Sequence, residues 1–267
     1  MNNTTTSPVG RAHDDLGGHR PEGRGAALDR RPTRRGLRFA RRTALVTMSV
    51  LLVLAAGFGL LLAVTPSTAD AHQRVRTLAA ADGAEALAGP LPDRIVRALL
   101  ATEDTRFFSH HGVDPVGAVR ATAGFLVISG DVGGATLDQQ LVKILYTDGR
   151  RGFTDRVEQV ALAVKLDARY RKTEILRMYL DTVYFGHGYY GVTDAARGYF
   201  DRVPTALTWA QASTLAGLVQ APSAYDPYQH AEAARARQRH VLNRLVATGA
   251  LTRAEGDAVL AEPLDLR

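Results

Sequence analysis

Positions 103 to 112 read Glu-Asp-Thr-Arg-Phe-Phe-Ser-His-His-Gly, directly after an apolar helical stretch. Two acids at a helix C-terminus face the negative end of the helix dipole, so helix propensity does not account for them. With Phe107 and Phe108 as an apolar wall, Glu103 would have the surroundings of a general base or acid, whose proton affinity must be raised toward working pH. The same residues also read as a charged turn in which Asp104 bonds His110 or Arg106. A second segment, positions 133 to 143, reads Gly-Gly-Ala-Thr-Leu-Asp-Gln-Gln-Leu-Val-Lys. Glycines ahead of a helix start offer backbone N–H groups to an anion, and Lys143 two turns along adds positive charge. Thr136 and Gln139 make a capping-box pattern that recurs at Thr208 and Gln211, so Gln139 reads as a cap, while Gln140 and Lys143 are the better candidates to meet a ligand.

The elements that must hold these residues are helices. Ile95, Ala98, Leu99 and Thr102 share one face behind Asp93, and Leu137, Leu141, Ile144 and Leu145 share one behind Thr136. Val157 to Leu166 and Ile175 to Val183 continue the same period, as do Thr208 to Val219, Ala231 to Ala247 and Arg253 to Leu260. Strand-like alternation is scarce. Glycines at 186, 188 and 191 mark a loop, His187 within it has no companion at metal-ligand spacing, and Tyr184, Phe185 and Tyr189 read as core.

A net charge of +6 would suit an acidic partner such as nucleic acid, but its placement argues against one. Residues 1–42 hold ten arginines and four acids, which is the whole excess, and the remainder is balanced. A nucleic-acid binder would carry charge on its folded module. Cysteine is absent, which removes disulfides, thiol catalysis and thiolate metal sites. Residues 1–42 read as a disordered basic tail. From Thr43 to Val64 no residue is charged, a run that as a helix would be about 33 Å long, enough to cross a hydrocarbon core of ~30 Å and longer than the apolar part of a cleaved signal. The arginines before it and Pro66, Ser67, Thr68 and Asp70 after it predict a single-pass inner-membrane protein with a cytoplasmic N-terminus and an extracytoplasmic C-terminal domain. Residues 65–90 read as a juxtamembrane helix or linker, and 91–267 as the folded domain.

In chain order, EDTRFFSHHG, GGATLDQQLVK, YRKTEILRMYLDTVYFGHGYYG and LAGLVQAPSAYDP resemble the peptidoglycan glycosyltransferases of family 51, from about Leu91 onward. The resemblance implies a mainly α, lysozyme-like domain with a large lobe and a small membrane-facing one. It implies that lipid II, undecaprenyl pyrophosphate carrying the disaccharide pentapeptide, is polymerised into a nascent glycan strand. Glu103 matches the family's catalytic glutamate, which takes the proton of the acceptor's 4-hydroxyl as the linkage inverts from α to β. Asp104, Phe107, His110 and Gly112 match the same motif, and Gly134, Thr136, Gln140 and Lys143 match the second. Lys143 and Arg156 are the expected diphosphate contacts, with Mg²⁺ as an expected companion that no ligand cluster in the sequence marks. Residues 113–130 hold an apolar stretch too short to span a bilayer, readable as core or as the family's membrane-interface segment.

Ala135, Asp138, Ile144 and Asp181 stand where the family usually has Ser, Thr, Asn and Asn. Counting back eight residues from Asp167, the family's second catalytic glutamate falls on Gln159, with Glu158 beside it and Asp155-Arg156 where Arg-Lys is usual. Either an amide replaces the carboxylate or Glu158 serves from a shifted register. Two other functions compete: a lysozyme-like cell-wall hydrolase, which would have no use for a diphosphate-directed lysine, and a lipid II-binding scaffold without turnover. The absence of Ser-x-x-Lys predicts a monofunctional enzyme working beside a separate penicillin-binding transpeptidase.

Overall fold

The computed structural model describes residues 34–117, 135–150 and 152–267. They fall into two compact units, Met1–Leu52 and Val53–Arg267. Gly134 and nearly all of the apolar stretch before it lie outside the described residues, as do positions 1–33.

Helix α1, Arg34–Val64, begins nine residues before the boundary read at 43, so the last part of the basic tail is helical rather than disordered. Arg, Leu, Phe and Ala there are adequate helix formers and extend the helix that the apolar run propagates. Within it Arg41–Val64 is long and apolar enough to cross a membrane, and its side chains are not buried by the protein. Length and composition thus make it a candidate membrane span.

The second unit is mainly α. Its helices are α2 (Ala71–Asp82), α3 (Asp93–Glu103), α4 (Leu137–Tyr146), α5 (Phe153–Arg169), α6 (Lys172–Thr182), α7 (Gly191–Phe200), α8 (Trp209–Leu218), α9 (Ala231–Ala247) and α10 (Arg253–Ala261), with a 3₁₀ turn at Pro204–Ala206. Among the described residues β structure is confined to two isolated bridges, His111 with Val113 and Tyr184 with Tyr190. Helix α8 lies at the centre, buried from Ala210 to Leu218, as expected of a helix apolar on every side. Helices α3, α9 and α10 pack on it, while α2, α4, α5, α6 and α7 form a second group around α6. The stretch read as a juxtamembrane helix or linker contains α2, whose Ala71 and Val75 join the core against α4 and α6. Helix α7 was hidden among the glycines read as loop. Its Val192, Ala195, Ala196, Tyr199 and Phe200 are buried at helical spacing, and Gly191 opens it at φ 78°, close to the backbone carbonyl of Asp181.

Candidate active site

The first motif ends a helix and turns. Glu103 is the last residue of α3, and Asp104 caps it in a non-helical conformation, φ −154° and ψ 75°. The second motif starts a helix. Thr136 caps α4 in a complete capping box with Gln139, as the spacing predicted. The two motifs interlock: Asp104 Oδ2 accepts the backbone N–H of Leu137 at 3.0 Å, and Thr136 Oγ1 donates to the carbonyl of Gly112 at 2.7 Å. Gly112 has φ 79°, and a Cβ there would collide with the backbone of Ala163 in α5, so only glycine fits this crossing.

Glu103 is held by two partners from distant helices. Its Oε2 accepts from Nε2 of Gln140 in α4 at 3.2 Å, and its Oε1 pairs with Arg237 of α9 at 3.2 Å. Gln140 is fixed in turn, because its Oε1 accepts the hydroxyl of Tyr179 in α6 at 2.8 Å. Burial, and secondarily the charge of Glu103, push the Tyr179 phenol well above its ordinary range, so it remains an O–H donor and turns the NH₂ end of Gln140 toward Glu103. An ionised carboxylate, which only accepts, matches both donors and keeps lone pairs for a third. The side chains of Arg237 and Glu103 are 5% and 12% exposed, so the pair is largely shielded from water. Arg237 also donates to the carbonyl of Gly217 at 3.3 Å and lies over the ring of Tyr225.

Asp104 and His110 form the expected pair, with His110 Nε2 2.9 Å from Asp104 Oδ2 and both side chains buried. Phe107 is 1% exposed and stacks under the ammonium of Lys172, whereas Phe108 is 62% exposed. The predicted aromatic wall beside Glu103 is therefore replaced by polar partners: Phe107 belongs to the core below the motif, and Phe108 turns outward. Asp138, fully buried where the family usually carries threonine, pairs with Lys172 at 3.1 Å, and Lys172 also bridges to Asp167 at 2.5 Å. Burial pushes the Asp138 carboxyl up to about 6, against the opposing pull of Lys172.

Lys143 is half-buried in the last turn of α4, three positions after Gln140 and so on the same side of the helix. Arg156 is exposed in the first turn of α5, with no hydrogen bond to the Glu103 group among the described residues. Gln159 is buried, and its Nε2 donates to Thr147 Oγ1 at 2.9 Å and to the carbonyl of Arg150 at 3.1 Å. Glu158 points instead to Arg150, at 3.6 Å, and is 29% exposed. His187 sits in its loop with φ 51°, bonded to Asp226 at 2.7 Å.

Asp104, His110 and Asp138 place ligand-type atoms within 4.8 Å of one another. His110 Nδ1 is buried without a hydrogen-bond partner, but the other ligand atoms are committed to each other, to the Leu137 amide and to Lys172. Mg²⁺ takes about six oxygens and keeps several waters, which a dry site with an imidazole and an ammonium does not offer. These residues do not fit it.

The residue that sequence reasoning missed is Arg237. Its neighbours Ala234, Val241 and Leu245 mark the buried face of α9, and an arginine on that stripe was the available signal.

A family model described as Transglycosylase matches residues 73–246. A Cupriavidus necator protein named as a transglycosylase is 37% identical over 179 residues, 67% of this chain and 78% of its own length. Penicillin-binding protein 1A of Neisseria gonorrhoeae is 39% identical over 178 residues, 66% of this chain and 22% of its own length. Penicillin-binding protein 1A of Escherichia coli is 37% identical over 177 residues, 66% of this chain and 21% of its own length. The chain thus spans about a fifth of these penicillin-binding proteins. It belongs to the transglycosylase family, the mainly helical, lysozyme-like peptidoglycan glycosyltransferase module that penicillin-binding proteins carry.

Proposed function

We propose that this chain polymerises lipid II into glycan strands, with Glu103 as the general base and undecaprenyl pyrophosphate as the leaving group. The observation that carries this reading is the immobilised carboxylate of Glu103, supported by hydrogen bonds from Gln140 and Arg237. Arg237 favours the ionised form, Gln140 fixes the direction of one oxygen, and the carboxylate can receive the proton of the acceptor's 4-hydroxyl as its oxygen attacks the donor's anomeric carbon. Lys143, on the Gln140 side of α4, supplies positive charge toward the departing diphosphate, with exposed Arg156 reaching the same group as the substrate binds. Asp104, His110 and Thr136 hold the two motifs together, and Gln159 serves as a positioning amide at the place where the family resemblance implies an acid. Helix α1 spans the inner membrane with its arginines in the cytoplasm, so the domain meets its lipid substrate on the outer face. A separate penicillin-binding transpeptidase would crosslink the product.

The test is polymerisation of labelled lipid II by detergent-solubilised protein. Glu103→Gln should lower the rate by ~10²–10⁴-fold, the share usually due to a general base, with the fold intact by circular dichroism. Retention of more than about a tenth of the rate would remove Glu103 from that role. Wild-type protein that binds lipid II without forming polymer would favour the scaffold reading, to which the amide at Gln159 lends support.

A further inference from the structure

The turn between α1 and α2 carries a groove that the proposed reaction does not use. Its volume is about 570 Å³, and it is lined by the hydroxyl-bearing Thr65, Ser67 and Thr68, the basic Lys165 and Arg169, and two alanines. Among the described residues no acidic one lines it. Lys165 and Arg169 lie one turn apart on α5 and so share a face. Lys165 Nζ donates to the carbonyls of Thr65 and Pro66 at 2.6 and 3.1 Å, which satisfies the chain just beyond the end of α1 and leaves one N–H over. Arg169 is exposed and makes no hydrogen bond or ion pair among the described residues.

Two adjacent cations with hydroxyls around them and no carboxylate form an incomplete electrostatic arrangement that an oxyanion completes. The position says which one. If α1 spans the bilayer, as proposed above, Val64 ends the hydrocarbon crossing and the next few residues lie among the headgroups. One wall of the groove is Ala63 of α1 itself, so an acyl chain attached to the bound group would run down alongside the helix. None of the lining residues hydrogen-bonds to the Glu103 group, which is built from α3, α4, α6 and α9.

We infer that this groove binds the phosphate of an anionic phospholipid in the outer leaflet of the membrane. Arg169 engages the phosphate with its planar fork, and Lys165 adds a second charge while holding the end of α1. The inference rests on α1 spanning the membrane.

The experiment uses the full chain in nanodiscs of phosphatidylcholine mixed with phosphatidylglycerol, followed by extraction and native mass spectrometry of the lipids that stay bound. Wild-type protein should retain phosphatidylglycerol in preference to phosphatidylcholine, and Arg169→Gln should cut that preference about tenfold, the equivalent of one charge-assisted hydrogen bond. Arg169→Lys should restore part of it. Lipid II polymerisation in detergent should be unchanged in both variants, which shows that the fold and the Glu103 group are intact. Equal retention of the two lipids by the wild type, or an Arg169→Gln protein as selective as the wild type, would overturn the site. Displacement of phosphatidylglycerol by millimolar inorganic phosphate would assign the groove to a free anion instead. Displacement by lipid II with the same dependence on Arg169 would make it a substrate subsite; either result overturns the phospholipid. Failure of the wild type to enter nanodiscs would overturn the spanning helix and the site together, whereas insertion without lipid preference sinks the site alone.

Discussion

The guanidinium of Arg237 lies 3.2 Å from Oε1 of Glu103, although the two residues are 134 positions apart in the chain. Removing one partner of a shielded ion pair leaves the other charge without its counter-ion, at a cost of ~3–5 kcal/mol when burial is complete and less here, because Glu103 keeps some access to water. Arg237→Met should therefore lower the unfolding free energy by about 2 kcal/mol or more. It should also slow polymerisation by more than about tenfold, because the carboxylate loses the charged donor that holds and orients it. Arg237→Lys should fall between the two. A loss of stability with the polymerisation rate unchanged would restrict the arginine to a structural role.

Gln159 offers two N–H donors to Thr147 and to the carbonyl of Arg150. A carboxylate cannot donate to a carbonyl, so Gln159→Glu should destabilise the α4–α5 connection by ~1–3 kcal/mol, the cost of an unsatisfied buried acceptor. The half-exposed Glu158 should tolerate Gln with a change under about 0.5 kcal/mol. Chemical denaturation of both variants measures this. A faster polymerisation rate in Gln159→Glu without loss of stability would point to a catalytic acid position instead.

Asp138 titrates near 6 rather than at its ordinary 3.8. The folded state therefore binds the proton more tightly than the unfolded chain. Its contribution to stability is fully present below 3.8 and is lost as pH rises through about 6. At ~1.4 kcal/mol per unit this amounts to a few kcal/mol across that window. In Asp138→Asn the fall in melting temperature between these two pH values should flatten; an unchanged slope would place the titration on another group.

Gly112→Ala should cost about 2 kcal/mol or more, since the left-handed backbone strains alanine and the methyl would press on the carbonyl of Ala163. Thermal melting reads the loss. A stability equal to wild type would mean that the turn can shift away from α5.

Much of the local architecture was legible because it is written in short spacings. Thr136 with Gln139 and Thr208 with Gln211 both form the capping boxes that their sequence pattern announces, and α9 runs from Ala231 to Ala247 as its periodicity reads. Helix α7 escaped because Gly191 and Gly198 flank its apolar stripe and glycine reads as loop. The site was legible only in part. The identities of Glu103, Asp104, His110 and Gln140 follow from two motifs, but what holds Glu103 includes Arg237, and an arginine in the run Arg235-Ala236-Arg237-Gln238-Arg239-His240 looks like solvated surface. The aromatic wall failed because a pattern of types does not say what each ring packs on: Phe107 enters the core, and Phe108 leans edge-on against it while staying largely exposed.

The bond from Thr136 to the carbonyl of Gly112 joins residues 24 positions apart and closes the intervening stretch at its neck. Asp104, reaching the amide of Leu137, makes a second tie just beside it. Lengthening a stretch whose ends are already fastened adds only ~0.6 kcal/mol of closure entropy per doubling. A change in the number of residues between Gly112 and Thr136 would accordingly cost little, because the two ties that fasten the motifs lie outside the interval it lengthens.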